Sequence, residues 1–205
     1  MDWVMAILSS SAYWAGPLVI LAAAVLLRGG FHARTFILLA VVSFLVNDMV
    51  VGSAIKRAVG RLRPYQSDPR VRKLEPARPP WQGGHDAGMQ GTGQENAAVA
   101  AGDVRAGPGR SFPSNHASNT AAAAMLTAIF YCRRGWLAFI PVLAVSYSRV
   151  YLGVHWPSDV IAGIFLGMAV ALVILALAEF LWRRLGQRIA PGLAAAHPSL
   201  VSRVS

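Results

Sequence analysis

VIAGIFLGMAVALVILALAEFLW, residues 160–182, contains a single ionisable side chain, Glu179. A helix needs about 20 predominantly apolar residues, within a range of about 17–25, to cross a bilayer. The stretch meets that length, and its reading decides the class of the protein. Across the 205 residues, 55% are hydrophobic and 14% are charged, against about 25% charged in an ordinary soluble domain. Mean hydropathy is +0.48. A chain of this size is expected to form one domain.

Four further apolar runs precede this one. They cover Tyr13 to Leu27 (with Trp3 to Leu8 as a possible extension backwards), Thr35 to Ile55, Ser114 to Cys132, and Trp136 to Tyr151. Together they predict an all-α integral membrane helical bundle of five transmembrane helices, or six if the N-terminal stretch adds one. Trp3, Trp14, Trp136, Trp156 and Trp182 stand near the ends of the runs, as interfacial anchors do. Arg28 and Arg34, Arg133 and Arg134, and Arg183, Arg184 and Arg188 fall on one side of a five-span arrangement. The positive-inside rule makes that side the cytoplasm. The expected setting is a bacterial-type inner membrane, with the other loops on the extracytoplasmic face.

The net charge of +10 comes mostly from arginine. Its placement beside apolar runs suits anionic headgroups and membrane orientation, so no nucleic-acid partner is expected and no protein partner is implied. One cysteine, Cys132, excludes an internal disulfide and a cysteine-rich metal site. The chain begins Met-Asp, without the basic start of a signal peptide. Residues 1–205 are expected to form a single domain with a flexible extracytoplasmic loop at about 65–112. Within that loop, His85-Asp86 lacks partners at metal-ligand spacing, and the GxG fragments lack a preceding strand. Trp81 could touch membrane or substrate.

Three polar clusters sit at predicted helix ends on one membrane face. In Lys56-Arg57-Ala-Val-Gly60-Arg61-Leu-Arg63-Pro64, Lys56 and Arg63 are seven apart and would share a face if the helix continues. Pro64 stops the helix there. Taken alone, this cluster reads as a basic collar for headgroups. In Phe112-Pro113-Ser114-Asn115-His116, Ser114 fits an N-cap, and the free N–H groups behind it form an anion site. A cap followed by an incidental histidine would account for this cluster alone.

The third cluster is Ser148-Arg149 through His155-Trp-Pro157-Ser-Asp159. Pro157 suits a first helical turn, from which Asp159 can reach back, as in a capping box, and hold one ring nitrogen of His155. Arg149 offers a fork suited to phosphate. A loop histidine beside a capping aspartate is the plainer account of this cluster. Together the clusters supply cations for a phosphoryl group, one histidine to attack phosphorus and another to protonate the leaving oxygen. Such a scheme needs no metal and no cofactor. Asp48, within a predicted span, reads as a helix-packing hydrogen-bond partner, with a functional role as the rival account.

Lys56 with Arg63-Pro64, then Pro113-Ser114-Asn115-His116, then Ser148-Arg149 with His155 and Asp159 resemble the motifs of the type 2 phosphatidic acid phosphatase (PAP2) superfamily. The family pattern is K-x6-RP, PSGH and SR-x5-H-x3-D. Asn115, where the family usually has glycine, is the one departure. The resemblance implies that His155 is the nucleophile, forming a phosphohistidine, that Asp159 orients it, and that His116 is the general acid. It implies that Lys56, Arg63, Ser114, Asn115 (through its backbone) and Arg149 bind phosphate.

The activity expected is metal-independent hydrolysis of a membrane lipid phosphate or diphosphate, with undecaprenyl diphosphate first. Phosphatidylglycerophosphate, phosphatidic acid and lipid A phosphate follow. A vanadate-dependent haloperoxidase shares the anion site but is soluble. A lipid headgroup binding or transport protein is the non-enzyme rival.

Overall fold

The computed structural model describes residues 2–68, 70–71 and 110–201. His85-Asp86, Trp81 and the glycine-rich fragments lie outside the described residues. Helices α1 (Asp2–Ser9), α2 (Ser11–Arg28) and α3 (Phe31–Leu45) open the chain. A π-helical stretch, Val46–Gly52, joins α3 to α4 (Ser53–Val59), and the short α5 (Pro64–Ser67) follows. Then come α6 (Asn115–Gly135), a 3-10 turn at Trp136–Ala138, α7 (Phe139–Tyr151), α8 (Pro157–Ile189) and α9 (Pro191–Ala196).

The all-α expectation holds, but the expectation of five or six transmembrane helices does not. Among the described residues, two helical stretches are long and apolar enough to cross a membrane: Phe31–Ser67 and Pro157–Ile189. The runs at Tyr13–Arg28 and Trp136–Tyr151 form shorter apolar helices. Helix α6 has the length, but Asn115, His116, Ser118, Asn119 and Thr120 make its first two turns polar. Counting apolar runs from sequence treated every such helix as an independent span.

Helix α6 is the central element. Leu126, Phe130 and Ala122 bury against Leu39 of α3 and against Ala171 and Leu175 of α8. Ala121 and Ala124 bury against Val142 of α7. The alanines let backbones approach closely, and two glycines of α8 bring them closer still. A Cβ on Gly163 would stand 2.6 Å from the Ser114 carbonyl oxygen, and one on Gly167 would overlap the carbonyl oxygen of Ser118 outright. Small residues four apart on one helix face are the usual means of such contact between apolar helices. On the outside, Ile20, Phe165 and Val173 are 71%, 64% and 66% exposed, a large apolar surface of the kind that contacts lipid or a partner.

The bundle has two unlike ends. At one, Phe31 stacks on His197 at 4.3 Å and packs against Trp182 at 5.5 Å. Phe36 meets Phe130 and Tyr131, each at 5.7 Å. Trp182 donates to the His197 carbonyl at 2.8 Å. The start of α3 and the ends of α6 and α8 therefore lie together; Arg34, Arg134, Arg183, Arg184 and Arg188 are on these segments, and Arg28 ends α2 just before α3. At the other end lie α4, the starts of α6 and α8, and the end of α7.

Gly167→Ala is expected to destabilise the protein by about 3 kcal/mol or more, because the new methyl meets a carbonyl rather than a movable side chain. At Gly16 a new methyl would have nothing within 4 Å, so this position should accept alanine without loss, alanine being the better helix former. Thermal unfolding in detergent compares the two, and equal midpoints would contradict the close-contact account.

Candidate functional site

Helix α4 ends at Gly60, whose φ of 59° is left-handed and turns the chain away. Lys56 and Arg63 therefore do not share a helical face, as their spacing predicts for a continuing helix. Arg63 is instead the N-cap of α5, with Pro64 in the first turn and its own N–H donated to Gln66 Oε1 at 3.0 Å. The turn still returns Arg63 to Lys56. Both line a cavity of about 280 Å³, together with Asp48, Ser53, Arg57, Arg110 and Asn115.

Ser114 is the N-cap of α6, as its sequence position suggests, but its hydroxyl caps no amide. That hydroxyl is buried and has no hydrogen-bond partner. The backbone holds the residue: Ser114 N–H donates to the Asp159 carbonyl at 3.0 Å, and Ser118 N–H donates to the Ser114 carbonyl at 3.0 Å. The starts of α6 and α8 are thereby joined directly above Gly163.

Asp159 is fully buried. It reaches back to the Trp156 N–H at 2.9 Å, in the manner of a first-turn capping carboxylate. Its Oδ2 also accepts from the Ser111 hydroxyl, and its Oδ1 accepts from Arg61 at 2.8 Å. The His155 Nδ1 stands 3.7 Å from Oδ2, too far for a hydrogen bond. This nitrogen is buried without a partner. The carboxylate thus faces His155, but its hydrogen bonds go elsewhere.

Arg149, at the end of α7, is anchored through Nη1 by the hydroxyl and carbonyl of Ser9, the last residue of α1. Its Nε is buried and unpaired. Burial, then Arg63, lowers its pKa to about 10, which leaves it a cation at neutral pH. Burial pushes His116 down to about 4, with Arg149, Lys56 and Arg63 adding to the fall and Asp48 opposing it. His155 is pushed to about 3 by burial, Arg149 and Arg63, against the opposing Ser111 carbonyl and with a further push from Lys56. Both imidazoles are neutral near pH 7 and lie in one field of cations.

Lys56, Arg63 and Asn115 thus share the cavity wall. Ser114, His116, Arg149 and His155 are not part of that wall and form an adjoining, more buried half. Among the described residues, no group of three His, Cys, Asp or Glu side chains stands close enough to hold a metal.

Sequence reasoning missed Arg61 and Ser111. Arg61 binds Ser158 as well as Asp159 and lies 5.4 Å from the Trp156 ring centroid. Its carbonyl accepts the Ser111 N–H at 3.0 Å. Trp156 donates to the Leu62 carbonyl at 3.1 Å, so it braces the site where an interfacial anchor was expected. Arg61 sits among three arginines in seven residues, and nothing in their spacing marks which one turns inward.

The PAP2 superfamily pattern matches residues 36–183. An undecaprenyl-diphosphatase of Sulfolobus acidocaldarius is 48% identical over 58 residues, 28% of this chain and 28% of that protein. A lipid A 4'-phosphatase of Bacteroides thetaiotaomicron is 27% identical over 172 residues, 81% of this chain and 64% of that protein. A decaprenylphosphoryl-5-phosphoribose phosphatase of Mycobacterium tuberculosis is 43% identical over 67 residues, 31% of this chain and 35% of that protein. The chain thus spans less than two thirds of the length of each of these relatives. No solved structure matches it. With the family pattern running from within α3 to near the end of α8, the chain belongs to the PAP2 superfamily.

Proposed function

We propose that the protein is a membrane lipid phosphatase, acting as a single domain, that hydrolyses a lipid phosphate or diphosphate through a phosphohistidine at His155. The observation that carries this reading is that three of the five buried unpaired polar atoms among the described residues, Ser114 Oγ, Arg149 Nε and His155 Nδ1, belong to the family's motifs. A buried polar group left unpaired costs about 1–3 kcal/mol, and a phosphoryl group would supply acceptors for the first two. The family motifs and the activities of the relatives support the same chemistry.

In this mechanism Nε2 of His155 attacks phosphorus, forming a P–N bond as the bond to the lipid oxygen breaks. His116 gives that oxygen its proton. Water then cleaves the P–N bond, with His116 accepting a proton from it and phosphate leaving. Lys56, Arg63 and Arg149, with the hydroxyl of Ser114 and the backbone N–H of Asn115, neutralise charge spread over the phosphoryl oxygens. Asp159 holds His155 once the ring becomes cationic. Catalytic hydrogen bonds are often long before substrate arrives, and the 3.7 Å separation is a short approach from closure. Arg61 and Ser111 fix Asp159 from behind.

Undecaprenyl diphosphate is the first-choice substrate, supported by the Sulfolobus relative. A lipid A phosphate is the second reading, favoured by the relative that matches most of this chain. The short segments that carry Arg28, Arg34, Arg134, Arg183, Arg184 and Arg188 lie at the end opposite the site, while Arg57, Arg61, Arg63, Arg110 and Arg149 at the site end have a task in the site itself, so the positive-inside rule supports an extracytoplasmic site in an inner membrane.

Phosphate release from a panel of lipid phosphates, with EDTA present, tests the reading. Wild type should turn over, His155→Ala should lose more than about 10³-fold, and His116→Ala should lose about 10²–10⁴-fold. Full activity in His155→Ala would sink the mechanism. Arg61→Ala should lower kcat about 10–100-fold, as loss of a supporting contact does, with little change in KM and partial rescue by Arg61→Lys.

The depressed histidines give a pH-linked signature. A bound phosphate offsets Arg149 and Lys56 and raises the proton affinity of His116 from about 4. Inorganic phosphate itself titrates near pH 7, so the signature is a difference: at one pH, binding should take up more protons in wild type than in His116→Ala, by up to about one. Calorimetry in buffers of different ionisation enthalpy reads both proteins, and equal proton uptake in the two would refute it.

A further inference from the structure

Resting on the phosphate-site reading above, we infer that Asp48 is a positioning residue: it orients the Asn115 side chain so that its carboxamide adds a phosphate donor where the family motif has glycine. Four observations meet at this point. Asn115 Nδ2 donates to Asp48 Oδ1, an assignment that follows because a carboxylate oxygen can only accept. The other end of the amide, Oδ1, lies 2.7 Å from where a Cβ on Gly52 would stand, as does the Asn47 carbonyl oxygen, so the amide packs into space that a glycine leaves open. Both Asp48 and Asn115 line the cavity that holds Lys56 and Arg63. The π-helical stretch Val46–Gly52 carries Asp48 itself, and π segments commonly mark functional positions in helices.

The neighbouring residue pins this arrangement. Asn47, 1% exposed, donates to Asn119 Oδ1 at 2.5 Å and accepts from the Ser118 hydroxyl at 2.8 Å. The π stretch is thereby locked to α6 within a turn of Asn115. Of the two Nδ2 hydrogens, one is committed to Asp48 and the second remains for an acceptor. Asn115 also stands in sequence between Ser114, in the buried half of the site, and His116. Its amide lines the cavity beside Asp48.

Asp48→Ala removes both charge and orientation, whereas Asp48→Asn removes the charge but keeps an acceptor for Asn115. Comparing the two isolates orientation. Calorimetric binding of inorganic phosphate to the full-length protein should be about fivefold weaker in Asp48→Ala than in Asp48→Asn, the worth of one neutral hydrogen bond. The gap should close when each is combined with Asn115→Gly, since coupled groups are non-additive. Asn115→Gly alone should weaken phosphate binding, and raise KM for the lipid, by about the same factor.

Equal binding by the two Asp48 variants, a gap that persists without Asn115, or wild-type phosphate affinity in Asn115→Gly would overturn the inference. If Asp48→Ala fails to fold, the Asn115→Gly affinity decides by itself. Because phosphate binding is read without turnover, an active His155→Ala would defeat the proposed mechanism and leave this test standing. Phosphate binding by wild type with no Asn115 effect would defeat this inference alone.

Discussion

The contact between α6 and α8 at Gly163 and Gly167 is the constraint on which the rest of the structure depends. It is a contact of backbone on helix, with no side chain between. It brings the first turns of both helices level, so that the Ser114 N–H can reach the Asp159 carbonyl. The loop before α6 and the loop before α8 are otherwise separate stretches of chain. Their polar residues form one site because two glycines allow the helices below them to touch. Site geometry and stability are therefore tied at this contact, and the small residues here serve both.

Charge is the second constraint. Asp159 is fully buried yet keeps its oxygens satisfied through Arg61, Ser111 and the Trp156 amide. Among the described residues, the cations Lys56, Arg63 and Arg149 have no comparable set of partners: Arg149 is held by neutral Ser9, and Asp48 is the one described acidic residue on the cavity wall. Burial disfavours the charged imidazolium and the neighbouring cations repel it, which is why both imidazoles lose proton affinity. The acidic residues here are engaged within the protein, Asp159 with Arg61, Ser111 and the Trp156 amide, and Asp48 with Asn115.

How much of this was legible in the sequence differs by feature. Helical class and element positions followed from apolar runs, because helix packing demands them whatever the surroundings. Span number did not, because apolar content alone does not separate a helix that crosses lipid from one such as α6, which buries its apolar face against neighbours. The spacing of Lys56 and Arg63 suggested a shared helical face. The structure reaches a shared cavity by another route, a left-handed turn at Gly60. The reach of Asp159 to the Trp156 amide was readable from Pro157 and the first-turn position, which are local effects. Arg61, Ser111 and Ser9 were not readable, since each acts on a residue far away in the chain. Asp48 was ambiguous for a related reason: its partner, Asn115, is a departure from the family motif, and the pair is visible only when α6 lies against the π stretch.

The seven residues Val46–Gly52 wind more loosely than the helices on either side. A residue in an α-helix advances about 100° around the axis, so one extra residue accommodated in a wide turn resets the facing of everything that follows. Helices α3 and α4 are one rod by connectivity and two by orientation. For a lineage of such proteins this makes chain length, rather than side-chain identity, the coarse adjustment of the site. A single-codon insertion or deletion in this stretch would re-aim Lys56 while leaving the apolar rod before it in place. Point substitutions at Asn115 or Gly52 could then tune the wall of whatever cavity resulted.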